Sequence, residues 1–249
     1  MTDLDGISMI WQRDLICFFR ERSRLLGSIS RPILWLFIFG MGLRPTFKGT
    51  GTLTYTEFIF PGVIAMTLLF TAIQSAISII WDREFGFLKE VLVAPISRAS
   101  VAIGKALSGA TLSLIGGFIT LLFAPFIGVH LSIVTVLILI PLMFLIGFAI
   151  TGVGILMAAR MTSFEGFGTI SNFFIMPMYF MSGAIFPPKD LPEWLLVLVR
   201  CNPLTYGVDL LRAAIVHQHY FPVSQDLLFL LGFAVVVTVI SFWSFMKTD

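Results

Sequence analysis

The chain has 249 residues, 57% of them hydrophobic and only 12% charged, with a formal net charge of +2. Its mean hydropathy of +0.97 lies outside the range of soluble domains, in which about a quarter of residues are charged; this is the composition of a membrane protein. The near-neutral balance gives no reason to expect a nucleic-acid partner, and two cysteines, Cys17 and Cys201, cannot build a disulfide framework.

A helix needs about 20 mostly apolar residues to cross a bilayer, because the backbone must satisfy its hydrogen bonds within the span. Six runs fit: roughly residues 25–43, 58–81, 101–124, 131–158, 167–186 and 227–246. The expected fold is an all-α membrane protein, one domain over residues 1–249, with six transmembrane helices, an N-terminal interfacial helix, a short cytoplasmic helix and external re-entrant helices. Arg13, Arg20, Arg22, Arg24, Arg31, Arg83, Lys89, Arg98, Lys105, Arg160 and Lys247 fall on one side of that topology. Arg44, Lys48, Lys189, Arg200 and Arg212 fall on the other. The excess of cations marks the cytoplasmic side, so both termini are expected there, and Cys17 and Cys201 on opposite sides of the bilayer.

In chain order, residues 1–24 place Leu4, Ile7, Trp11, Leu15 and Phe18 on one helical face, with Arg13, Arg20 and Arg24 opposite. That pattern predicts a helix lying in the membrane interface; the alternative is a cytoplasmic helix packed on a partner. Met9 and Ile16 fall on its polar side. Arg31 and Pro32 divide the first span, so Pro32 is expected to begin the buried helix and Arg31 to stay near the interface. Residues 82–98 follow the second span, with a short helix predicted over 83–93 carrying Phe85, Leu88 and Leu92 on one side before Pro95 turns the chain. An apolar cytoplasmic loop of this kind needs something to cover it. Residues 187–225 hold two helix starts, Asp190 with Glu193 and Asn202 with Pro203, and both helices are apolar enough to dip into the outer leaflet.

Several chemistries are missing. Gly104-Lys105 lacks the rest of a phosphate-cradling loop, so no ATP hydrolysis is expected of this chain. His130, His217 and His219 lack metal-ligand spacing, and Ser182 has no histidine at its depth to act as base; no catalytic or metal residues are assigned. Glu57, Asp82 and Asp226 sit at span ends, which weakens an ion-coupled secondary transporter. A membrane-lipid enzyme, the other rival, lacks catalytic polar groups at membrane depth. In the fifth span Asn172, Met176, Tyr179 and Gly183 form a stripe suited to an apolar ligand or to a neighbouring helix. Ala102, Ala106 and Ala110 make a seam for close helix packing.

The stretch from residue 181 to 212 carries Ser182, Gly183, Phe186, Pro187, Leu191, Pro192, Trp194, Asn202, Pro203, Leu204, Tyr206, Asp209 and Arg212, and it resembles the closing signature of type 2 ATP-binding cassette (ABC) export permeases. PILWLFIFG in the first span and LVAPISR followed by Gly104-Lys105 are similar to the same family. The resemblance implies an ABC ATPase as partner, holding the ATP and magnesium, with no cofactor on this chain. It also implies a second permease protomer, a homodimer, contact with membrane lipid, and a prokaryotic inner-membrane, multi-pass location. By the same resemblance Arg83, Glu84, Phe85, Gly86, Phe87, Leu88, Lys89, Glu90 and Leu92 form the helix that couples to the ATPase. It also implies that Ser182, Gly183, Phe186, Pro187, Asn202, Pro203, Tyr206 and Arg212 form an outer gate; the stripe of Asn172, Met176 and Tyr179, read from its side chains, is the candidate substrate path, with packing on a neighbouring helix or second protomer as the alternative. FPGVIAMTLLF is similar to the drug and antibiotic resistance branch, implying export of a lipophilic or amphipathic small molecule. SGAIFP also occurs in oligosaccharide exporters, so lipid-linked polysaccharide or lipo-oligosaccharide is the alternative cargo.

Overall fold

The computed structural model describes residues 3–42, 54–86, 97–161, 163–188 and 191–246. Among these the regular structure is helical: α1 (Asp3–Arg20), α2 (Arg22–Gly42), α3 (Tyr55–Ser75), α4 (Ile77–Glu84), α5 (Arg98–Leu121), a 3-10 turn at Pro125–Ile127, α6 (Ile133–Ala159), α7 (Phe164–Phe180), α8 (Glu193–Cys201), α9 (Pro203–Val216) and α10 (Val223–Met246). Ala76, which separates α3 from α4, keeps helical backbone angles, so the two make one long rod.

Four stretches are long and apolar enough to cross a membrane: Tyr55–Glu84, Arg98–Leu121, Ile133–Ala159 and Val223–Ser244. They match the second, third, fourth and sixth predicted spans. The fifth, α7, has 17 helical residues, about 25 Å at 1.5 Å per residue, and ends in a turn that was expected to be helix. The first differs in another way. Rather than beginning at Pro32, α2 runs through it from Arg22 to Gly42; a proline inside a membrane helix is tolerated where neighbouring elements pack over the freed backbone, and α2 lies on α3.

Helix starts follow local chemistry. Thr54 caps α3 in a capping box, its backbone N–H donating to Glu57 Oε2 at 2.8 Å, and the Ser97 and Ser163 hydroxyls accept from Ser100 N and Gly166 N at 3.1 and 3.2 Å, each satisfying an orphan donor. Pro192 stands at the N-cap of α8 without a side-chain bond; Asp190, expected to cap it, lies outside the described residues.

The core is built on α3, whose residues from Phe58 to Ala65 are almost wholly inaccessible, with α5 and α6 against it. Contact between α5 and α6 is close because Gly147 faces Ser113 and Gly109 faces Thr151, where a Cβ has no room. The Ala102, Ala106 and Ala110 seam is buried, as expected. Buried hydroxyls turn back on their own helices: Thr67 to Val63 O, Thr120 to Gly116 O and Thr151 to Gly147 O, at 3.0, 3.0 and 2.7 Å.

Candidate functional site

Two polar clusters frame the bundle, one at each end. At the end of α4, where the 85–97 connection leaves it, Lys105 on the second turn of α5 is only 4% exposed. Its Nζ lies 2.7 Å from Asp82 Oδ2 and 3.0 Å from Asp14 Oδ2, and donates to Ser78 Oγ at 3.0 Å. Ser108 Oγ donates to Asp14 at 3.1 Å. Arg13 completes the set with two donors to Asp82, one at 3.1 Å; that bond holds the guanidinium above its usual range. Two cations meet two carboxylates from three helices, α1, α4 and α5. Buried charge is tolerable only when paired and hydrogen-bonded this completely.

This cluster fastens α1. Ile10 lies over Gly104, where a Cβ would come within 2.9 Å of the Ile10 Cβ, so Gly104 serves close helix contact. Trp11 Nε1 donates to Thr111 Oγ1 at 3.0 Å. Asp3 Oδ1 accepts from Ser97 N and Ser100 Oγ at 3.1 and 2.9 Å, and these donors, Ser97 N–H first, hold its carboxyl below the usual range. The expected apolar face is divided as a result: Phe18 is buried and Leu4 is 76% exposed, while the docked face also takes Gly6, Ile10 and Asp14.

Of the residues predicted to couple to an ATPase, Arg83 donates to Met161 O at 2.6 Å and Ala159 O at 3.1 Å, closing the carbonyl end of α6. Glu84 and Phe85 are exposed, and Gly86 takes a positive φ of 76°, so α4 stops here. Trp81 stacks on Phe85 and meets Phe164 at a tilt, with centroids at 5.2 and 4.8 Å. Phe87, Leu88, Lys89, Glu90 and Leu92 lie outside the described residues.

At the far end, the residues predicted as an outer gate come together. Gly183 has φ of 72° in the turn after α7, and α3 presses so closely on that turn that a Cβ at Gly62 would sit 2.7 Å from Ala184 O. Arg212, 1% exposed, donates to Gly183 O at 2.8 Å and lies over the Phe58 and Tyr220 rings, 4.5 and 5.3 Å from their centroids. Its Asp209 partner is 4.0 Å away, and Asp209 accepts from Tyr220 N and Phe221 N at 2.8 and 2.9 Å. Asn202 Oδ1 caps α9 through Leu204 N at 3.0 Å, and its Nδ2 donates to Met178 O at 2.6 Å. Pro203 follows at the first helical position. Tyr206 Oη donates to Arg200 O at 2.7 Å, Ser182 Oγ to Tyr179 O at 2.6 Å, and Phe186 and Pro187 are half-buried.

The predicted stripe on α7 separates into two faces. Phe167, Ser171, Ile175 and Tyr179 turn inward onto α3 and α6, whereas Asn172 and Met176 are exposed with Phe173 and Phe180. Asn172 and Met176 are therefore on the outward side, apart from Tyr179. The bonds of Asp14 and Lys105 were missed in the sequence, although Lys105 is a charge among apolar neighbours, which in a membrane chain signals a partner.

Comparison with known proteins adds an independent line. The family model described as ABC-2 type transporter matches residues 6–216. Transport permease ycf38 of Cyanophora paradoxa is 32% identical over 205 residues, 81% of this chain and 71% of that protein. The protein of the same name from Porphyra purpurea is 32% identical over 219 residues, 84% and 73% of the two chains. Nodulation protein J of Rhizobium leguminosarum bv. trifolii is 26% identical over 232 residues, 90% of this chain and 88% of that one.

Proposed function

Because this chain belongs to the ABC-2 type transporter permease family, we propose that it is the membrane subunit of an ABC exporter, driven by a separate ATPase that carries the ATP and magnesium. The observation that carries this reading is the family match across residues 6–216, which takes in the whole Lys105 cluster and the Asp209 and Arg212 side chains of the other. It is a multi-pass membrane protein of a permease family, with no hydrolytic role of its own.

In the proposed topology α2 and α7 join the four long helices as six spans. Both termini face the cytoplasm of a prokaryotic inner membrane, and α8 and α9 are re-entrant helices of the outer leaflet. The loop leaving Phe85 docks on the ATPase. Exposed Phe85 and Trp81 supply apolar surface for that contact, and the Lys105 cluster with the Arg83 bonds gives it a rigid seat. Movement of the docked loop would reach α3 through α4, and α3 in turn touches the Gly183 turn at the other end. Only a loop that meets different ATPase shapes in two states can shift the equilibrium between inward and outward access.

The outward face of α7, with Asn172, Met176 and Phe173, faces a second copy of the chain in a homodimer and lines the path between them with Tyr179 behind it. Its pliable and aromatic character suits a lipophilic or amphipathic small molecule taken from the cytoplasm or inner leaflet. The SGAIFP turn favours lipid-linked polysaccharide or lipo-oligosaccharide as second reading. Co-expression of the chain with candidate ABC ATPases, followed by ATP-driven export from vesicles, tests the proposal. Phe85→Asp is expected to lose the ATPase from the purified complex. Undiminished association and export in that variant would reject the coupling site, and transport by an ion gradient without any ATPase would reject the class.

A further inference from the structure

Helices α9 and α10 pack along one another, with the Tyr206 and Phe229 rings stacked at 4.0 Å. Asp209 lies one turn after Tyr206 on α9, and Asp226 one turn before Phe229 on α10. The antiparallel register that stacks the rings therefore sets the two carboxyls side by side. Both are buried, Asp209 at 2% exposure and Asp226 at 0%.

Their surroundings are unequal. Asp209 receives Tyr220 N and Phe221 N at 2.8 and 2.9 Å and has Arg212 at 4.0 Å. Among the described residues, no donor reaches either oxygen of Asp226. Of the neighbouring donors, Tyr206 Oη bonds Arg200 O at 2.7 Å and Arg212 Nη2 bonds Gly183 O at 2.8 Å, while Arg212 Nε, buried and unbonded among the described residues, does not reach Asp226 either. The charged and titratable groups on the elements at this junction are Arg212 and Tyr206 on α9, Tyr220 with His217 and His219 on the following turn, Arg200 and Cys201 at the end of α8, and Tyr55 and Glu57 at the start of α3, which packs on α9. On the other side of α10, α6 brings no titratable side chain anywhere between Ile133 and Ala159. One buried guanidinium thus stands against two buried carboxyls. Two ionised carboxylates cannot share such a place, and a metal ion would have to face the two backbone N–H groups already aimed at Asp209.

We propose that Asp209 and Asp226 form a proton-binding site, with one proton held between them and Asp226 donating to Asp209. No covalent change is involved: the proton enters from water at the 217–222 turn and leaves by the same route. While it is held, α9, α10 and the turn close as one unit. Its loss places two like charges in the junction and loosens α10 from α9. The site stands independently of what the chain transports.

Infrared spectroscopy of the full chain in lipid nanodiscs tests this. At neutral pH the wild type is expected to show the carbonyl stretch of a protonated carboxylic acid, shifted in D2O and lost reversibly as the pH is raised. Asp226→Asn should remove that band. Asp209→Asn should remove it too, because the new amide can donate to Asp226 and let it ionise. A wild type without the band, or a band that survives in Asp226→Asn, would overturn the site. If neither variant folds, the wild-type titration decides: a band that vanishes reversibly supports the site, and one absent at neutral pH or insensitive to alkali refutes it.

Discussion

Lys105 shows what one buried cation does when it is the shared partner of two carboxylates. Replacing it with methionine keeps the volume but leaves Asp14 and Asp82 buried with only Arg13 to answer them. Removing one partner of a buried ionic set typically costs about 3–5 kcal/mol. Thermal unfolding of the purified protein in detergent is expected to fall sharply for Lys105→Met and to recover in part when Asp14→Asn is added. Asn202 is a smaller case. It caps α9 and also holds Met178 O, so Asn202→Ala should cost about 1 kcal/mol for the cap and somewhat more for the carbonyl released. If Asn202 and Pro203 also shape a gate, their joint replacement with alanine should reduce export while ATPase association is kept; normal export would reduce this end to packing.

Among the elements, α1 owes its close approach to α5 to Gly104, beside the charged cluster that fastens it. A side chain at Gly104 meets Ile10 head on, so Gly104→Val should lift α1 from α5. Hydrogen exchange in Asp3–Arg20 should then speed while α6 remains protected, and unchanged exchange would show that the helix is held by its charges alone. Most element positions were legible in the sequence because their signals are local: Thr54 with Glu57, Asn202 with Pro203, and long apolar runs. The docking of α1 was not, since Asp14 and Lys105 are 91 residues apart and periodicity reports a face without saying what covers it. Amphipathic patterning alone therefore assigned to lipid a helix that also had a place on α5. Pro32 misled for a related reason: a proline rule drawn from local hydrogen bonding yields to tertiary cover. The gathering of Ser182, Asn202, Tyr206 and Arg212 was readable only through the resemblance, because the bonds that join it, Asn202 to Met178 O and Arg212 to Gly183 O, span 24 and 29 residues.

For the whole molecule, the decisive quantity is which side of the bilayer each end occupies. Cys17 and Cys201 are both exposed, so impermeant thiol reagents applied to intact cells should label Cys201 at once and Cys17 only after permeabilisation. Labelling of both from one side would mean that the number of spans between them is even, and that α2 or α7 does not cross. That result would undo the six-span topology while leaving the family membership intact.

The Lys105 cluster also carries a consequence for synthesis. Asp14 leaves the ribosome 91 residues before the lysine that neutralises it, so the first helix has no permanent seat until the third long segment has entered the membrane. The earliest part of the chain settles only after α2, α3 and α4 have been made. Nascent chains arrested before Lys105 should keep their N-terminus open to protease, and chains extended past Thr111 should protect it, with the change falling where the lysine emerges.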